Sequence, residues 1–181
     1  IIQGGKTYND SSANRSIDDV QYKTLATDGG TTDFNNLING AHAARGSGSN
    51  GTKVVKAGGQ KYTLYGTVSN ENMIESLTVA STSSIADAGD LDIGGQNTGH
   101  GASNGTLCFF AGGILAGIGV GAHIEYMNIA SGWGGTDAGD IGTGASYTHS
   151  VTHGDSKFLI MGVSSSSTTA IDVHSFSTYA N

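Results

Sequence analysis

Short apolar runs separated by clusters of Gly, Ser, Asn and Asp set the rhythm of this chain. Runs rich in Val, Ile, Leu, Thr, Phe and Tyr, bounded by turn formers, predict many short β-strands. Strands are expected at 20–27, 52–57, 61–68, 74–81, 124–131, 157–164 and 170–179. Within 74–81, IESLTVAS, residues Ile74, Ser76 and Thr78 alternate with Glu75, Leu77 and Val79. Both faces are mixed, so the alternation alone does not tell which one is buried. Residues 106–122, TLCFFAGGILAGIGVGA, carry no charge and are broken by Gly112-Gly113. They predict two buried strands. One stretch has a helical period: in 32–44, TDFNNLINGAHAA, residues Phe34, Leu37, Ile38 and Ala41 share a helix face. Thr32 or Asp33 can cap it, so a short helix is expected there.

The pattern repeats. IESLTVASTSSIADAGD (74–90) returns fifty positions later as IEYMNIASGWGGTDAGD (124–140). Ile, Glu, Ala, Ser and the closing Asp-Ala-Gly-Asp coincide without a gap. Shifted by 54, residues 20–59 align with 74–113, so that Ser49-Asn50-Gly51-Thr52 falls on Ser103-Asn104-Gly105-Thr106. IDVHSFST from Ile171 echoes IEYMNIAS. The chain therefore divides into a polar N-terminal arm, 1–19, and one repeat domain, 20–181. Its units run 20–73, 74–123 and 124–170, with a partial unit at 171–181. A period of this size signals units that bury one another's faces. The fold expected is all-β, a solenoid-like stack of about 50-residue units, with a β-sandwich or jelly roll as the alternative. The helix at 32–44 would cap the first unit.

Composition narrows the function. The chain has 30 Gly among 181 residues and no Pro, which does not suit a disordered linker. Net charge is −7, and between Tyr62 and Ser156 there are nine acids and no Lys or Arg. A nucleic-acid binder needs a basic stripe, so nucleic acid is not an expected partner. Gly113, Gly117 and Gly121 have the GxxxG spacing of membrane helices. The uncharged stretch is nonetheless shorter than the roughly 20 apolar residues a span needs, which argues against membrane insertion. Cys108 is the only cysteine, excluding an intrachain disulfide, and within LCFF it reads as a small core residue.

Several motifs could carry chemistry. Gly101-Ala102-Ser103-Asn104-Gly105 matches the nucleophile elbow G-x-S-x-G, which needs a strand before it and a helix after it. A turn precedes an apolar strand here instead, as at Ser47–Gly51. Asp87, Asp90, Asp92, Asp137 and Asp140 are acids at equivalent unit edges that could hold Ca²⁺ through oxygen ligands. The competing account is that each Asp opens a turn by bonding its own backbone two residues on. No other cofactor is implied. Glu75, Glu125 and Asp172 share one repeat position. A polysaccharide-cleaving enzyme needs a carboxylate pair that breaks the repeat, and these follow it. His149 and His153 form HxxxH in a stretch with strand and turn residues, not a zinc-binding helix. Asn9, Asn14, Asn50 and Asn104 open sequons. Tyr126, Trp133 and Tyr147 are candidate platforms for stacking glycans.

The segments VVKAGGQKYTLYGTVSN (54–70) and CFFAGGILAGIGVGAHIEYMNIAS (108–131) resemble the Gly/Thr/Ser/Val repeats of AIDA-type bacterial surface adhesins. That resemblance implies short strands alternating with GG turns in a right-handed β-solenoid. The unit here is longer than a single rung, and no transporter barrel is present in the sequence. The reading that follows is a non-enzymatic structural protein of an exterior surface: a virion shell or decoration, a filament or an adhesin coat. Its localisation would be extracellular, on a cell or virion surface. It would associate with itself through strand edges and the arm, or with other shell or surface proteins. The alternatives are a glycan-binding module and a β-helical glycan hydrolase or lyase.

Overall fold

The computed structural model describes residues 2–7, 15–24, 26, 29–39, 46–62, 68–81, 85–96, 100–115, 117, 119–142, 147–153, 156–163 and 169–178. Among them the chain is all-β, with no α-helix and one closing 3₁₀ turn, Phe176–Thr178. The first sheet contains β1 (Ile2–Thr7), β2 (Arg15–Tyr22) and β3 (Thr32–Asn36). The second contains β4 (Gly46–Ser49), β5 (Lys53–Tyr62), β6 (Val68–Thr78) and β7 (Ile85–Asp90), side by side in chain order. Then follow β8 (Gly95–Gln96), β9 (His100–Ser103), β10 (Leu107–Ala111), β11 (Ile114–Leu115), β12 (Gly119–Val120), β13 (His123–Asn128) and β14 (Thr136–Asp140). Of these, β9, β10, β13 and β14 build the third sheet in the order β14-β13-β10-β9, while β8, β11 and β12 form a small separate one. The fourth sheet is β15 (Tyr147–His153), β16 (Lys157–Val163) and β17 (Thr169–Ser175). Every pairing between these strands is antiparallel.

The sequence repeat reappears as repeated bonding. Leu37 N donates to Asp18 O (2.6 Å), Leu91 N to Asn72 O (2.7 Å) and Ile141 N to Ala122 O (2.8 Å). These are the same bond in three sheets. Val79 N donates to Thr52 O and Ile129 N to Thr106 O in the same way. The turns match too: Asn50 Oδ1 accepts from the amides of Thr52 and Lys53, and Asn104 Oδ1 from those of Thr106 and Leu107. An Asn side chain that satisfies two turn amides fixes the hairpin locally.

Three apolar clusters each join two consecutive sheets. Val20, Phe34 and Leu37 of the first meet Leu77 of the second. Val55, Ala57, Ile74, Ala88 and Leu91 of the second meet Cys108, Phe110, Met127 and Ile129 of the third. Leu107, Phe109, Ala111, Ile124 and Ile141 of the third meet Phe158, Ile160 and Phe176 of the fourth. Alternate residues of a strand point to opposite faces, so the inner sheets are packed on both sides. That is why all of Leu107–Ala111 is buried, and why β6 reads as mixed: Ile74 faces the third sheet and Leu77 the first. Each large side chain so buried contributes about 1.5–3 kcal/mol.

The helix expected at 32–44 is not formed. Residues 32–36 are strand β3, paired with β2 through Tyr22↔Thr32, Gln21↔Asp33, Val20↔Asn35 and Asp19↔Asn36. Phe34 and Leu37 are buried, whereas Ile38 is 53% exposed, so the helical face does not exist. Thr32, Asn35 and Asn36 favour strand or turn over helix, and β2 offers a ladder that satisfies the backbone. Residues 40–45, including Ala41, lie outside the described ones. The uncharged stretch 106–122 becomes β10 and β11 on either side of Gly112 (φ +65°) and Gly113 (φ +94°). No helix among the described residues is long and apolar enough to cross a membrane.

Candidate functional site

Several polar side chains that reach the interior join sheets. Ser103 Oγ donates to Ser49 O (3.2 Å) and accepts from Ser49 N (3.3 Å), so equivalent residues of two units bond each other. The residue of the nucleophile-elbow match is thus a rivet between β4 and β9. Glu75 is buried between the first and second sheets, where Oε1 accepts from Asn39 N (2.9 Å) and Oε2 lies 3.2 Å from Lys56 Nζ. Burial pushes the Lys56 ammonium below the ordinary lysine value, and the charge and hydrogen bond of Glu75 pull it partway back. Glu125, the repeat counterpart, is fully buried and accepts from Asp92 N at 2.5 Å. Each carboxylate thereby ties down the backbone just beyond the last strand of the preceding sheet. The Asp172 side chain lies outside the described residues. Burial also pushes the Cys108 thiol well above the ordinary thiol value, which keeps it protonated and inert.

The acidic edge residues are exposed. Asp87 Oδ1 accepts from Gly89 N (2.8 Å) and Asp137 Oδ1 from Gly139 N (2.7 Å), the same turn in both copies. His123 Nδ1 stands 3.8 Å from Asp137 Oδ1 and 3.9 Å from Asp140 Oδ1. Among the described residues, no three His, Cys, Asp or Glu side chains form a group that could hold a metal ion. The side chains of His149, His153 and Tyr147 lie outside the described residues. Tyr126 stacks on Phe109 (5.4 Å between centroids, 25° between planes) and packs against the core joining the third and fourth sheets.

Trp133 is placed very differently. It is 88% exposed and sits at the edge of the second sheet. The loop 132–135 folds onto β7: Trp133 N and Gly134 N donate to Ala88 O (2.7 and 3.0 Å), and Gly135 N donates to Asp90 O (2.7 Å). Gly89 (φ +102°) permits this approach, because a Cβ there would collide with Gly134 N and lie 2.8 Å from its Cα. Gly132 (φ +71°), Trp133 (φ +77°) and Gly134 (φ +79°) are consecutive left-handed residues. Two of the three are glycine, which adopts that region freely. Trp133 does not, and holding it there costs about 1–3 kcal/mol.

Beside the indole lies a cavity of about 190 Å³ lined by Lys53, Ser76, Asp87, Ser131 and Trp133, with Ala86, Ala88 and Gly132. Lys53 Nζ donates to Ala130 O (3.0 Å), crossing from β5 to the loop that carries Trp133. Asn128 Oδ1 holds the amides of Ala130 (2.9 Å) and Ser131 (3.2 Å) and fixes the other end of the loop. The sequence singled out Trp133 but not Lys53, Ser76 or Ser131. Their only signal was that SGWGG interrupts the copy of STSSI.

No family model matches the chain, and no curated protein matches it.

Proposed function

We propose that this chain is a non-enzymatic structural protein of an exterior surface assembly, a virion shell or decoration, a filament or an adhesin coat, that associates with a second copy of itself. The observation that carries the reading is the outer face of the fourth sheet. On it Ile171 and Val173 are 63% and 60% exposed. Their repeat counterparts in β13 are Ile124 and Tyr126; Ile124 is buried by the fourth sheet and Tyr126 is packed against the same core. The face that receives a further layer in the third sheet is therefore open in the fourth.

Among the described residues, the opposite end of the stack is polar. Gln21, on the face of β2 away from Val20, donates to Asp19 Oδ2 (2.5 Å). A stack of repeats needs a polar outer face at each end to stay soluble alone. One end has it and the other does not. Apolar Ile171 and Val173 have no matching partner on the polar end, so a second copy docks through the same face, as a two-fold pair. The finer fold reading accompanies this: a solenoid-like stack in which a small antiparallel sheet, not a parallel rung, is the repeating layer. Each adjoining pair of sheets is locally sandwich-like.

Light scattering after size exclusion tests the reading. Wild type is expected at twice the 18.3 kDa chain mass, and Ile171→Lys with Val173→Lys at the chain mass, with an unchanged circular dichroism spectrum. A wild-type protein at the chain mass throughout a hundredfold range of concentration, roughly the span that shifts a micromolar dimer, overturns it.

A further inference from the structure

We infer that the cleft beside Trp133 binds a glycan, with the indole stacked against one pyranose ring. Three observations converge. Among the described residues, the large apolar side chain that is most exposed is the only tryptophan in the chain. Its backbone is held in a left-handed conformation that an L-residue adopts at a cost. Its side chain, standing in solvent, returns nothing to the fold in exchange. Strain kept at a position that packs nothing is a mark of a site, where the surrounding bonds from Ala88 and Asp90 enforce the geometry.

The chemistry around the ring selects the ligand class. A pyranose has a face of C–H groups flanked by hydroxyls that both donate and accept. The indole supplies a flat apolar surface for the first. Asp87 supplies an acceptor, and the hydroxyls of Ser76 and Ser131 supply both kinds of partner at the cavity wall. Lys53 supplies a cation whose ammonium is already positioned by Ala130 O. The cavity of about 190 Å³ is smaller than the roughly 300–1,000 Å³ of sites for drug-sized ligands, and suits one ring of a longer chain. A protein partner would instead seek a broad apolar patch, whereas this small wall interleaves apolar surface with Lys53, Ser76, Asp87 and Ser131.

This site is independent of the apolar face on the fourth sheet. The test uses the full chain and four probes: cellotetraose, maltotetraose, chitotetraose and β-1,4-galactotetraose. Because Trp133 is the only tryptophan, its emission reports occupancy directly. At least one probe is expected to give a saturable change below about 10 mM, the weak end of specific recognition. Trp133→Gly is the chosen variant, since glycine suits the φ of +77° and keeps the loop. By calorimetry it is expected to lose at least tenfold in affinity while its melting temperature stays level or rises. Asp87→Asn is expected to weaken binding severalfold. No saturable change with any probe overturns the inference, as does an unaltered affinity in Trp133→Gly. If Trp133→Gly lowers the molar mass, the residue is a self-contact and the inference also falls, while the assembly reading stands.

Discussion

Gly48 and Cys108 test how the second and third sheets rest on each other. A Cβ at Gly48 would collide with Cys108 Sγ and come within 3.0 Å of Ser103 Cβ. Gly48→Ala therefore overpacks a closed interface, at about 1–3 kcal/mol, less about 0.4–1 kcal/mol recovered from the stiffer unfolded chain. Cys108→Ala removes one fully buried heavy atom and costs about 1 kcal/mol, by analogy with a methylene. If the contacts are as described, the two changes cancel, because the methyl introduced at Gly48 enters the space that sulfur leaves. The double variant should then fall within about 1 kcal/mol of wild type, where simple addition gives about 1–3.5 kcal/mol of loss. Urea unfolding at one fixed protein concentration measures this, since association would shift the midpoints. Additive losses would refute the packing of β4 against β10.

Phe158→Ala should cost about 3–5 kcal/mol, read in the same unfolding assay, because its ring lies 4.6 Å from that of Phe109 and 4.9 Å from that of Phe176. Glu125→Leu should destabilise by about 1–3 kcal/mol through the stranded Asp92 amide, whereas Glu125→Gln should recover most of that. Lys56 binds its proton less tightly when folded than when unfolded, so the unfolded chain holds more protons between the lowered folded value and the ordinary 10.5. Stability attributable to this residue therefore rises with pH through that window, and Lys56→Met should lack the rising component in melts at successive pH values. Asp137→Ala should cost about 1 kcal/mol from the lost bond to Gly139 N. Melting temperatures in calcium and in chelator should coincide, and a rise of several degrees with calcium would make the edge acids ligands.

The all-β class was legible because turn formers punctuate every apolar run and because the copies align. The same alignment held the answer to the one helix that failed. Residues 32–36 correspond to β7 and β14, and the apolar period of Phe34, Leu37 and Ile38 was a coincidence inside a strand and its exit. What stayed hidden depends on layers meeting. Ile74 and Leu77 on opposite faces of β6 looked contradictory until both faces proved to be packed. Glu75 and Glu125 read only as a shared repeat position, since nothing local announces that a backbone amide from the preceding sheet will meet each of them. The strain at Trp133 is equally non-local, imposed by the edge of β7 on a loop of the following unit.

The two inner sheets differ in one dimension that their cores do not register. Ala57 pairs with Ile74, but Ala111 pairs with Ile124, so the second sheet's hairpin is four residues longer. In the second sheet the extra length continues as paired strand to Tyr62↔Val68; in the third the chain leaves the ladder and makes β11 and β12. Chain length thus differs between the units while the shared ladder, Lys53↔Thr78 to Ala57↔Ile74 and Leu107↔Asn128 to Ala111↔Ile124, keeps its register. The length of chain between the two central strands is therefore the natural variable for diversification and for engineered insertion.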